Sequence, residues 1–135
     1  LYLIEQTIKE YRKISQKNIS QIVSDITVDQ CLILIILSKE VNISQKEIAA
    51  LIFKDNASIT RIIELMVKKD YLKREINGSD RRKFKLEITE KGKKTIELLS
   101  PVIKKNRKTA LNGLTQEEIE ILDQLLNKII SNCKL

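Results

Sequence analysis

The chain has 135 residues, 42% hydrophobic and 32% charged, with two Cys, three Gly, one Pro and no His. That composition predicts one folded, mostly helical domain and excludes His-built zinc sites, imidazole general bases and Ser-His or Cys-His pairs. The net charge of +7 is unevenly placed: Lys68 to Lys94 holds eleven basic and five acidic residues, the rest of the chain fourteen and thirteen.

Such a local excess suits a polyanionic partner, although a solvated surface or a basic membrane-surface segment has the same composition. Cys31 and Cys133 lie far apart without metal-ligand spacing. No secretory leader is visible, and the apolar run Cys31 to Leu37 is too short to cross a bilayer. The expected compartment is therefore the cytoplasm, with reduced thiols.

Leu1, Ile4, Ile8 and Tyr11 recur at helical spacing and predict a helix over residues 1–22. Thr27-Val28-Asp29-Gln30 has the form of a capping box, with Ile26 and Cys31 as its hydrophobic staple. The helix it opens, Val28 to about Ser38, is apolar nearly all round and should be buried. Ser44-Gln45-Lys46-Glu47 repeats the box and opens a helix from Gln45 to Ile52. A fourth helix is predicted from Asn56 to about Lys69, with Ile59, Ile62, Ile63 and Met66 facing inward.

The period then changes from helical to alternating. Lys83 to Ile88 alternates strictly and predicts a half-buried strand, with Tyr71 to Ile76 as its partner and Asn77-Gly78-Ser79-Asp80 as the turn region. Arg74 shares parity with Leu72 and Ile76 and so breaks the inward pattern. Helix resumes after Thr89 and continues to about Leu111, with a kink expected at Pro101 and a stop at Asn112-Gly113. A third box, Thr115-Gln116-Glu117-Glu118, opens the last helix, which carries an apolar stripe of Ile119, Leu122, Leu125, Leu126, Ile129 and Ile130 to about Ser131.

The expected fold is mainly α with a small β-hairpin wing: a winged helix-turn-helix flanked by N- and C-terminal dimerisation helices. The free face of the fourth helix begins with Ala57, Ser58, Thr60 and Arg61. Small and hydroxylated residues there permit close approach to base edges, Arg can read guanine, and the helix N-terminus is expected to favour a phosphate. Arg81, Arg82 and Lys83 fall at the hairpin tip, suited to the negative potential of a narrow minor groove.

Ser79-Asp80-Arg81-Arg82-Lys83-Phe84 through Thr89-Glu90-Lys91-Gly92 resembles the wing signature of the MarR family, Asp-x-Arg followed by a strand and a Thr-x-x-Gly helix start. Asn56 to Ile63 resembles that family's recognition helix, and Ser44 to Ala49 the helix before it. One departure is Asp70-Tyr71, where the family often has Gly. The resemblance implies one domain over 1–135, with 28–89 binding DNA and 1–22 and 90–135 forming a dimerisation region. It implies that Asp80 holds Arg82, that Arg82 enters the minor groove, and that Ser58, Thr60 and Arg61 face the major groove, with Arg81 and Lys83 as further DNA contacts.

The implied function is a sequence-specific transcription regulator, a ligand-responsive repressor that binds a near-palindromic operator on double-stranded DNA as a homodimer. The apolar stripes independently point to a partner surface. No cofactor or metal is expected; a small aromatic effector is implied, with Tyr11 a candidate pocket residue for which plain interface packing is the stronger reading. A winged-helix module for protein contact and a redox sensor acting through Cys31 are the alternatives. An enzyme is disfavoured because no phosphate loop or activated nucleophile is present, and Asp29, Glu40 and Glu47 read as helix-surface charges.

Overall fold

The computed structural model describes residues 1–40, 42–76 and 84–134. The described elements, in chain order, are α1 (Tyr2–Ile22), α2 (Val28–Lys39), α3 (Gln45–Leu51), α4 (Asn56–Lys68), β1 (Leu72–Ile76), β2 (Phe84–Ile88), α5 (Glu90–Ala110) and α6 (Gln116–Cys133). All three capping boxes close as the residue pattern predicts: Thr27 with Gln30, Ser44 with Glu47, and Thr115 with Glu118 each exchange both hydrogen bonds. Each satisfies two orphan donors and fixes where its helix begins. α5 runs through Pro101 as a single helix.

The core gathers where α2 meets its neighbours. Ile33 and Leu34 of α2, Ile48 of α3, Ile59, Ile63 and Met66 of α4 and Leu99 of α5 are fully buried together. Cys31 belongs to this cluster, and burial pushes its thiol up to about 11. The thiol is therefore protonated at neutral pH, an environment that weighs against a redox role for Cys31. β1 and β2 form one antiparallel hairpin in register Leu72 to Ile88 and Ile76 to Phe84. Arg74, opposite Leu86, is exposed.

Tyr71 is not part of the strand. Asp70 takes a left-handed φ of 65° and closes α4, its N–H donating to Val67 (3.1 Å) while the Tyr71 N–H donates to Met66 (2.9 Å). Gly usually fills such a cap, and Asp is among the few residues that tolerate it. Tyr71 is thereby turned into the core, where its hydroxyl donates to the Asp25 carboxylate. Lys91 Nζ stands 4.4 Å from the Tyr71 ring centre, and Lys69 Nζ donates to the Asp25 carbonyl. The α1–α2 connection, the end of α4 and the start of α5 are thus tied at one point.

The hydrogen bond from Tyr71 holds the Asp25 carboxyl below its ordinary 3.8, so this link stabilises the fold above that range and is lost as pH falls through it. Tyr71→Phe is expected to cost about 1 kcal/mol at neutral pH, discounted for the exposed Asp25. Denaturant titrations should show the deficit beginning to shrink as pH falls below about 4, where Asp25 of the variant and of the unfolded chain takes up its proton, and shrinking further as the wild-type Asp25 follows at lower pH; a deficit independent of pH would assign the loss to packing.

Two faces remain uncovered. α1 leaves Leu1, Tyr2, Leu3, Ile4 and Ile8 exposed. None of the residues of α6 is buried, and α6 packs only sparsely on the other described elements. Among the described residues no helix is long and apolar enough to cross a membrane.

Candidate nucleic-acid interface

α3 and α4 are joined by a short turn and pack on each other as a helix-turn-helix, with α4 set against α2. With Ile59, Ile63 and Met66 turned inward, the helical period places Ala57, Arg61, Glu64 and Lys68 on the outermost ridge of α4. All four are exposed. Of the three residues expected to face the major groove, Arg61 lies on this ridge. Ser58 and Thr60 are half-buried on its two flanks.

Thr60 is already engaged within the fold: its hydroxyl accepts from Gln45 Nε2 (2.6 Å) and donates to the Asn56 carbonyl (2.9 Å). It therefore locks α3 to α4 as well as bordering the ridge. Gln45 was not a sequence candidate, since the contact joins two helices and leaves no periodic trace. Lys68 and Glu64 were likewise missed, although the helical period alone places them in line with Arg61.

The N-terminus of α4 departs from expectation. Asp55 caps it, Oδ1 accepting from the Ser58 N–H at 2.7 Å. The Ser58 N–H and hydroxyl hold this exposed carboxyl below the ordinary Asp value. A carboxylate from the chain itself occupies the place where a phosphate was expected, so this helix end is not an open anion site. The cap escaped the capping-box pattern because Ser58, not Glu or Gln, stands three residues on.

The turn before α4 is anchored from behind. Asp29 of α2 pairs with Arg12 of α1 and lies 3.5 Å from Lys54 Nζ. What sequence pattern read as a surface charge is thus a link between the long N-terminal helix and the helix-turn-helix. Asp80, Arg81, Arg82 and Lys83 lie outside the described residues. The strands flanking them are described, and across these Lys73 approaches Glu87 at 3.8 Å.

The wing is tied to the rest through Thr89 and Gly92. The Thr89 hydroxyl accepts from the Gly92 N–H (3.0 Å) and donates to the Asp70 carbonyl, while the Thr89 N–H donates to the Tyr71 carbonyl (3.1 Å). A Cβ at Gly92 would lie 2.5 Å from the Tyr71 carbonyl oxygen and 2.6 Å from Ile88 Cγ2. The Thr-x-x-Gly pattern is therefore a docking device that sets α5 against the hairpin.

Residues 26–84, which span the helix-turn-helix and the first strand, match the sequence model of the MarR family. The matched segment is a little under half of the chain, and over it the chain is similar to that family. An uncharacterized HTH-type transcriptional regulator of Bacillus subtilis strain 168, YwaE, is 33% identical over 87 residues, covering 64% of this chain and 51% of YwaE. The chain thus matches about half the length of that curated relative. The S. aureus MepR–DNA complex shares the fold with a TM-score of 0.86 at 21% identity, covering 98% of this chain and 95% of MepR. Bordetella bronchiseptica BpsR, whose DNA binding is regulated by 6-hydroxynicotinic acid, gives a TM-score of 0.83 at 23% identity, over 95% and 90% of the two chains. The chain accordingly has a winged helix-turn-helix fold with long helices before and after it.

Proposed function

We propose that this chain is a sequence-specific, double-stranded-DNA-binding transcription regulator that acts as a homodimer. Residues 28–89 serve as the DNA-binding region, and 1–22 with 90–135 as the dimerisation region. The observation that carries the reading is the outer ridge of α4, small at Ala57 and cationic at Arg61, set beside the hairpin whose segment holds the charge excess. A helix presenting a small residue and a bidentate cation fits the major groove. The likeness to MepR, described in complex with DNA, supports the same reading.

Arg61 reads a base edge, Ser58 borders the groove, and Thr60 supports the helix through Gln45. Asp80 orients Arg82, which reaches the minor groove, with Arg81 and Lys83 on adjacent phosphates. Two copies place two α4 helices on half-sites about one helical turn apart. Ligand response belongs to the same proposal: a groove of about 490 Å³ between the end of α2, β2 and α5 combines Leu37, Leu86, Ile88 and Ile96 with Lys85 and Lys93, its one lining carboxylate, Glu87, lying 3.8 Å from Lys73. That lining suits a small aromatic acid, and BpsR responds to one. Tyr11 lines a different groove, between α1 and α5.

Selection of bound sites from random duplexes, read at two salt concentrations, tests the reading. Near-palindromic sites whose affinity falls steeply with salt are expected. Arg61→Ala and Arg82→Ala should each weaken the selected sites about 10- to 100-fold, with Arg61→Ala also relaxing sequence preference. Equal retention of all sequences, or wild-type affinity in both variants, would contradict the assignment.

A further inference from the structure

The turn between α3 and α4 holds a residue that the fold does not use. Phe53 adopts a left-handed φ of 60° and the residue is 93% exposed. Its N–H donates to the Ala50 carbonyl (3.4 Å), and the next N–H, that of Lys54, donates to Ala49 (2.9 Å). This is the helix-ending arrangement in which Gly is the usual residue, because a side chain strains the left-handed backbone. The large side chain thus bears the strain of its position without the return of burial.

Its surroundings are rigid. Lys54 is drawn toward Asp29, and Asp55 caps α4 two residues on. Phe53 stands three residues before the first residue of α4, at the end of the helix whose early residues face the groove in the proposed function. An exposed aromatic ring held by a strained, anchored turn has the features of a preorganised contact.

We propose that Phe53 is a specificity-determining contact to DNA. Its ring packs against the 5-methyl group of a thymine at the edge of the stretch read by α4. The phenyl ring has no hydrogen-bonding group, and the thymine methyl is the apolar feature of the major-groove base edges. The inference rests on the DNA-binding reading above and adds to it a residue outside both the helix and the wing.

The test uses sites that the wild-type protein selects from a random duplex pool. In one selected site each thymine is replaced in turn by uracil, which lacks the methyl group, and binding is measured for the wild type and Phe53→Gly. One replacement per half-site should weaken the wild type by about fourfold, the worth of one buried methyl group. Phe53→Gly should bind less tightly overall, be indifferent to that replacement, keep its dimeric state and melt at a higher temperature than the wild type. The assignment is overturned if no uracil position affects the wild type, or if Phe53→Gly keeps the same penalty. A lower melting temperature would give the ring a structural role, and a weakened dimer would make it a subunit contact; either overturns the proposal. Failure of the wild type to select any site would instead remove the DNA-binding reading itself.

Discussion

A Leu122→Glu, Leu125→Glu variant is expected to remain folded, to become a monomer, and to lose operator binding by roughly 10²- to 10⁴-fold. Both side chains are exposed on α6 (41% and 52%), as are Ile121, Ile129 and Ile130 on the same helix. Because α6 contributes no buried residue to its own chain, the substitutions leave the core around Ile33, Ile59 and Leu99 intact. In the dimer, four leucines covered by the partner contribute about 1.5–3 kcal/mol each, and carboxylates in their place add a desolvation cost. Sedimentation should show single subunits at concentrations where the wild type is paired, with an unchanged melting curve for the core at low wild-type concentration. A variant that stays dimeric would move the interface elsewhere, the exposed apolar start of α1 being the next surface to test.

Gly92→Ala is expected to destabilise the protein by about 2 kcal/mol: overpacking costs about 1–3 kcal/mol or more, and the gain in helix propensity returns about 1. The cost is at the upper end here because one close neighbour is the Tyr71 carbonyl, backbone that already accepts from the Thr89 N–H, and the other is Ile88 of β2. Neither can withdraw without opening the junction between α4, the hairpin and α5. Thermal unfolding should show a midpoint lowered by roughly 6–8 °C. Wild-type stability in this variant would mean that α5 does not seat on the hairpin as described.

Much of the fold was legible because it is written in local chemistry. The capping boxes at Thr27, Ser44 and Thr115 mark helix starts through residues three apart, and the inward face of α4 follows from spacing alone. The strand alternation from Phe84 to Ile88 placed the hairpin. The uncovered stripe of α6 was visible as apolar residues beyond what a small domain can bury.

The features that escaped are tertiary or depend on backbone sign. Tyr71 alternates with its neighbours like a strand residue, yet the left-handed Asp70 turns it inward to Asp25. Nothing near Thr60 announces Gln45, fifteen residues earlier. Asp29 looks like any first-turn carboxylate until Arg12 and Lys54 are brought to it. Of the site itself, the ridge position of Arg61 followed from periodicity. The closed anion position at Asp55 and the exposed ring of Phe53 emerge only from the folded turn.

The most direct test of the central claim, that two copies of this chain grip one duplex through α4 and the hairpin, is the mass of the complex with a selected duplex across a salt series. The expected result is two chains per duplex at about 50 mM salt, dissociating steeply as salt is raised toward 200 mM. A protein that stays off every duplex at low salt, or a complex holding one chain with affinity indifferent to salt, would contradict it.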